Sequence, residues 1–164
     1  MGQLVSGLLW FSSAALATWG TRQAAIVFLI ASGFFIFPLT KLGLKLMGHR
    51  SRVSPDNPLN ALGMQSAFVL PLSLLLVGAA ALYRIEWFYP AFMIALGAHY
   101  LPFVTLYGMR MFYALAATLV GAGVVLALYL PLPFSAGAWF AAAVLVCFAF
   151  LGRRSVSVEA TGSE

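Results

Sequence analysis

Charged residues stand in a few short stretches of this chain, and the runs between them are almost wholly apolar. Five charge-free runs result, at 1–21, 23–40, 57–83, 87–109 and 111–152. A hydrocarbon layer about 30 Å thick is crossed by about 20 helical residues rising about 1.5 Å each. The first four runs fit one such helix each. The fifth is long enough for two, and its middle reads Leu130-Pro131-Leu132-Pro133-Phe134-Ser135. Two prolines followed by a serine make a re-entry turn, with Ser135 as the N-cap of the next helix. The runs do not alternate apolar and polar residues, which argues against a β-barrel.

The pattern predicts an all-α fold, a polytopic membrane bundle of six transmembrane helices over about 3–20, 23–47, 58–83, 89–108, 111–130 and 135–152. The second of these overshoots the bilayer, and the stems of Lys41 and Lys45 at its end can reach back to the headgroups. The third opens on Ser54-Pro55-Asp56-Asn57-Pro58. There Asn57 can cap and Pro58 suits the first helical position. Residues 1–152 are read as one transmembrane domain. Residues 153–164 carry no apolar pattern and are expected to be a disordered cytoplasmic tail.

Pro38, Pro71 and Pro102 fall inside the second, third and fourth predicted helices. Each removes one backbone hydrogen bond and is expected to kink its helix. Membrane helices tolerate proline without further purpose. Alternatively, the three kinks open a cavity among these helices.

Composition agrees with the pattern. The chain of 164 residues is 63% hydrophobic and 8% charged, against about 25% charged in an ordinary soluble domain. That excludes a disordered chain, a nucleic-acid-binding domain and a water-soluble enzyme core. The net charge of +5 would suggest nucleic acid in a soluble domain. Here the nine basic residues lie between the apolar runs and read as a topology signal. With the N-terminus on one side, that side collects Lys41, Lys45, Arg50, Arg52, Arg110, Arg153 and Arg154, and the other only Arg22 and Arg84. The positive-inside rule makes both termini cytoplasmic. Trp19, Tyr83, Trp87, Tyr89, Tyr129 and Trp139 fall near the opposite helix ends and form the expected aromatic belt.

Two N-terminal patterns are set aside. Ala15-Leu16-Ala17 resembles a signal-peptidase site, but no Lys or Arg precedes the apolar stretch. Met1-Gly2-Gln3-Leu4-Val5-Ser6 matches a myristoylation pattern, but an acyl chain adds little to six spans.

Two segments carry a resemblance. One is Asn57-Pro58-Leu59-Asn60-Ala61-Leu62-Gly63. The other is Gly97-Ala98-His99-Tyr100-Leu101-Pro102-Phe103 with Leu106-Tyr107. Together they resemble a family of small bacterial and archaeal multi-pass membrane proteins of unknown function. The resemblance implies a prokaryotic inner membrane and brings no functional residues.

No Asp or Glu lies inside a predicted span. Ion- and proton-coupled transporters commonly hold carboxylates there, so a carboxylate coupling site, a di-metal centre and a two-carboxylate hydrolase are not expected. His99 falls near the midplane of the fourth helix. An imidazole in hydrocarbon needs partners, so it should face the bundle, either bonded to another helix or contacting a solute. Gln65, Asn60 and Tyr107 are candidate company if the third and fourth helices are neighbours. His49, in the basic connection, reads as a solvated loop residue.

Ala117, Gly121, Gly123 with Ala127, Gly137 with Ala141 and Ala138 with Ala142 set small residues four apart, which lets helices approach closely within the bundle or in a homo-oligomer. Cys147, the single cysteine, has no neighbouring His or acid in sequence and reads as a buried inert thiol. Ser12, Ser13, Ser32, Ser73 and Thr118 can bond their own helix backbone. Neither a cofactor nor a metal is implied. Membrane lipids are the expected partners, and nucleic acid is not one. The function expected is small-solute binding or permeation near His99. A non-catalytic membrane scaffold or accessory subunit is the alternative. A lipid-acting enzyme lacks a nucleophile with a base, a metal cluster and a phosphate loop.

Overall fold

A computed structural model describes residues 2–36, 42, 45, 59–129 and 132–161, with the side chains at 59–61, 64, 67 and 153–161 left aside. Among the described residues there are six α-helices and no strands. They are α1 (Gly2–Trp19), α2 (Arg22–Gly33), α3 (Leu59–Tyr83), α4 (Phe88–Tyr107), α5 (Met111–Leu128) and α6 (Ala136–Thr161), with a 3-10 turn at Ile85–Trp87 before α4. The chain divides into two compact units, Met1–His49 with Ala138–Glu164, and Arg50–Gly137.

In the first unit α1 and α2 pack together. Thr21 stands between them in extended backbone, and its hydroxyl accepts from the Ala24 N–H at 3.1 Å, which starts α2. Ser13 donates to the Ala25 carbonyl at 3.0 Å in the buried seam. This hydroxyl joins two helices, whereas Ser12, Ser32, Ser73 and Thr118 bond carbonyls of their own helices, as expected. At Gly7 a Cβ would meet Val146 Cγ2 at 2.8 Å, so only glycine allows α1 this close to α6.

The second unit is built around α4, which has α3 and α5 as neighbours. Phe88, Tyr89, Phe92, Met93, Leu96, Gly97 and Tyr100 are buried along it. Phe112, Leu115, Ala116, Leu119 and Gly123 are buried along α5. Both sets follow helical spacing. The two backbones cross closely where side chains vanish. A Cβ at Gly97 would stand 2.7 Å from Val120 Cγ2, and one at Gly123 2.7 Å from the Pro90 carbonyl oxygen. Gly108 ends α4 in the left-handed region at φ 66°, which costs a glycine nothing and turns the chain into α5.

Several expectations are corrected. The second helix does not run unbroken over 23–47: α2 ends at Gly33 and turns at Phe34 and Phe35, with Ile36, Leu42 and Lys45 again helical. The Ser32-Gly33 pair is a weak helix interior, and a proline at position 38 has no N–H for the Phe34 carbonyl. Pro38 and Lys41 lie outside the described residues. Helices α3 and α4 continue through Pro71 and Pro102. The segment from Arg153, expected to be disordered, is helical as far as Thr161. Tyr89, assigned to the outer belt, is 0% exposed and packs against Phe134 with ring centroids 4.8 Å apart. Cys147 is exposed rather than buried. Of the small residues, Gly123, Ala138, Ala141 and Ala142 are buried, but Ala117 and Gly121 are exposed.

Among the described residues two helical stretches, Ile85–Tyr107 of 23 residues and Met111–Leu128 of 18, are long and apolar enough to cross a membrane. Shorter apolar stretches are Arg22–Gly33, Phe68–Tyr83 and Ala136–Gly152. Large apolar side chains point outward on α3, where Leu75, Leu76 and Leu82 are 76%, 77% and 91% exposed.

Candidate functional site

Helix α3 brings Ser66, and not Gln65, to His99. Ser66 is 2% exposed, and the half-buried imidazole of His99 interacts with its backbone. Both residues hold a buried polar atom without a hydrogen-bond partner, Ser66 Oγ and His99 Nδ1. A buried polar atom without a partner costs about 1–3 kcal/mol. Both atoms lie at the seam between α3 and α4.

Aromatic rings flank His99 along its own helix. Its ring meets Phe103 edge-on at 5.0 Å and Tyr100 at 5.8 Å. Phe103 in turn meets Tyr107 at 5.6 Å and Phe112 of α5 at 5.7 Å. Tyr100 stacks on Phe112 at 6.0 Å, with 18° between the planes. The spacing 99, 103, 107 puts the imidazole and two rings on one face of α4.

The expected four-residue cavity is therefore not assembled as such. Gln65 is exposed. One helical step of about 100° separates neighbouring positions, so a helix that turns Ser66 inward turns Gln65 away. Tyr107 is 61% exposed and reaches His99 only through Phe103. The side chain of Asn60 is outside the described residues. Pro71 is exposed, and Pro102 lies three positions after His99 on the same helix. Sequence reading missed Ser66, Tyr100, Phe103 and Phe112. Spacing of three and four from His99 would have found Phe103, but nothing local marks Ser66.

A hydroxyl and an imidazole nitrogen are the polar groups at this point. A hydroxyl both donates and accepts, and a neutral imidazole nitrogen does one or the other. Ser66 Oγ and His99 Nδ1 do not bond each other, whereas an activated nucleophile and its base stand within hydrogen-bond reach. Among the described residues no three His, Cys, Asp or Glu side chains form a group that could hold a metal ion.

A model of a family of unknown function, DUF7010, matches residues 2–154, and the chain belongs to that family. No curated protein and no solved structure matches the chain.

Proposed function

We propose that this DUF7010 member is a non-catalytic integral membrane protein that contacts a small neutral polar solute at Ser66 and His99. It crosses a prokaryotic inner membrane six times, with both termini in the cytoplasm. The observation that carries the solute reading is the pair of unpartnered buried polar atoms at the α3–α4 seam. Such atoms are most cheaply satisfied by a small molecule that donates and accepts hydrogen bonds. No acid lies within a predicted span, which favours a neutral solute over a cation.

The membrane reading is supported by the charge pattern and by the outward apolar side chains of α3. A water-soluble protein rarely exposes so continuous an apolar face. The topology follows from the side-to-side imbalance of Lys and Arg.

Proteoliposomes test both parts. Osmotic shock with glycerol and with urea should give faster re-swelling than in protein-free vesicles. His99→Phe and Ser66→Ala should each slow it while leaving the protein folded. Rates equal to protein-free vesicles, or rates indifferent to both substitutions, would remove the solute site. Reporter fusions at both termini should report the cytoplasm, and a fusion after Glu86 the opposite side.

One observation favours a second reading, a scaffold or homo-oligomer. Ala117 and Gly121 stand four apart on the exposed face of α5, and nothing lies within 4 Å of a Cβ at Gly121. Small residues at this spacing admit a partner helix. Purification as a stable complex that Gly121→Leu disrupts would favour it.

A further inference from the structure

Helix α3 buries one face and leaves the opposite one bare. Ser66 and Val77 are each 2% exposed, whereas Gln65, Phe68, Leu72, Leu75, Ala79 and Leu82 are exposed. These six follow one another at intervals of three, four, three, four and three residues. That is the spacing of a coiled-coil seam, with Gln65, Leu72 and Ala79 at a and Phe68, Leu75 and Leu82 at d. The three a residues fall within about 40° of one another around the helix, on the mid-line of the bare face. From Gln65 to Leu82 the seam rises about 26 Å. Pro71 falls at g, beside the seam rather than in it, and α3 runs on through it.

Gln65 says what kind of surface covers this face. It lies six residues, a rise of about 9 Å, into α3 from Leu59. In the proposed bilayer that depth is within the hydrocarbon, where lipid tails offer an amide nothing and an unpaired one is costly. An amide both donates and accepts, so it is complementary to a copy of itself. Two copies in one membrane point the same way, and a two-fold axis along the membrane normal sets each a residue against its own counterpart. A different protein would need its own donor and acceptor at this one depth, which a second copy has by symmetry. The area is also of the right size. Phe68, Leu72, Leu75, Leu76, Leu82 and Tyr83 are between 62% and 91% exposed. Side chains of this kind together present roughly 600 Å², most of the about 800 Å² per partner that a stable interface buries.

We propose that α3 pairs with α3 of a second copy of this chain as a parallel two-fold dimer, registered by hydrogen bonds between the two Gln65 amides. The proposal rests on the membrane reading above for its parallel orientation, and is independent of the solute site. Phe68, Leu75 and Leu82 are the d knobs that enter holes on the facing helix, at a crossing angle of about 20°. A single polar a residue in an apolar seam fixes the register, because any slip leaves both amides in hydrocarbon.

The test is energy transfer between full-length chains tagged at the C-terminus with a donor or an acceptor fluorophore, in liposomes over a range of protein-to-lipid ratios. Transfer should rise with that ratio and saturate as for a dimer. Gln65→Leu should weaken association about tenfold, the scale of one interhelical hydrogen bond, and Gln65→Asn should retain it. Cross-linking reads the face directly. In a Cys147→Ser background, copper–phenanthroline oxidation should join Leu72→Cys chains and Ala79→Cys chains into dimers, but not Leu74→Cys chains. Transfer at the level of unassociated chains at every ratio would overturn the dimer and leave lipid on this face. Equal cross-linking at positions 72, 74 and 79 would overturn it as random collision. Monomers that purify with a different protein bound to this face would overturn it too. A dimer that Gly121→Leu dissociates and Gln65→Leu does not would move the contact to α5. If the chain resists carbonate extraction from membranes but stays monomeric, the dimer alone fails. If it is extracted, the membrane reading fails and the parallel dimer with it.

Discussion

The indole N–H of Trp139 donates to the hydroxyl of Thr18 at 3.0 Å, across 121 positions of chain. Thr18 O–H in turn donates a hydrogen bond to the Ala14 carbonyl at 2.8 Å, so one hydroxyl serves as acceptor for α6 and donor within α1. The link sits in the last turn of α1, one residue from its end, beside the Phe11 and Trp19 rings that touch the same indole.

Removing either partner of that bond should loosen the first unit by about 0.5–1.5 kcal/mol, the net value of one hydrogen bond. Trp139→Phe keeps most of the ring contact, and Thr18→Val keeps the shape of the acceptor. Thermal unfolding in detergent micelles should show a lowered midpoint for each and no further loss in the double variant. Additive losses would mean that the hydrogen bond contributes nothing and that the two side chains act separately.

Glycines on the two packed helices should respond oppositely to a methyl group. A Cβ at Gly97 would stand 2.9 Å from the Ala116 carbonyl oxygen as well as 2.7 Å from Val120, whereas one at Gly121 meets nothing within 4 Å. Gly97→Ala is expected to cost about 1–3 kcal/mol by forcing α4 and α5 apart. Gly121→Ala should be neutral or stabilising by about 0.5–1 kcal/mol, because it removes backbone freedom from the unfolded chain. Detergent-resistance midpoints check both. Equal losses at the two sites would place a partner helix on the Gly121 face.

Cys147 is exposed on α6 among Val146, Phe148 and Phe150. In the proposed bilayer this face meets lipid, which a charged reagent does not enter. A charged maleimide should leave Cys147 unlabelled in intact membranes and label it after SDS denaturation. A cysteine placed at Arg84 in a Cys147→Ser background should label from the non-cytoplasmic side. Rapid labelling of Cys147 in intact membranes would put this face of α6 in water.

The positions of the helices were legible because their ends are written in local chemistry. The predicted boundaries 3–20, 58–83 and 89–108 meet helices at Gly2–Trp19, Leu59–Tyr83 and Phe88–Tyr107. Gly20 and Gly108 mark two of the stops, and charged residues mark the gaps. The break of α2 at Gly33 was also present in Ser32-Gly33 and in a proline five positions on, yet an unbroken apolar run concealed it.

What each helix turns inward was not legible. A soluble helix declares its core face by a polar face opposite, but α3 and α4 are apolar nearly all round. With no such contrast, the choice between Gln65 and Ser66 as the neighbour of His99 is a rotation of about 100°, which neighbouring backbones fix. Helical rotation likewise buries Tyr89 and leaves Tyr107 outside. The chain's own residues thus determined its helical class, most of its element boundaries and the separation of charge from apolar runs. Only tertiary packing decided which polar atoms meet, because close approach at Gly97 and Gly123 sets how α4 and α5 are turned toward each other.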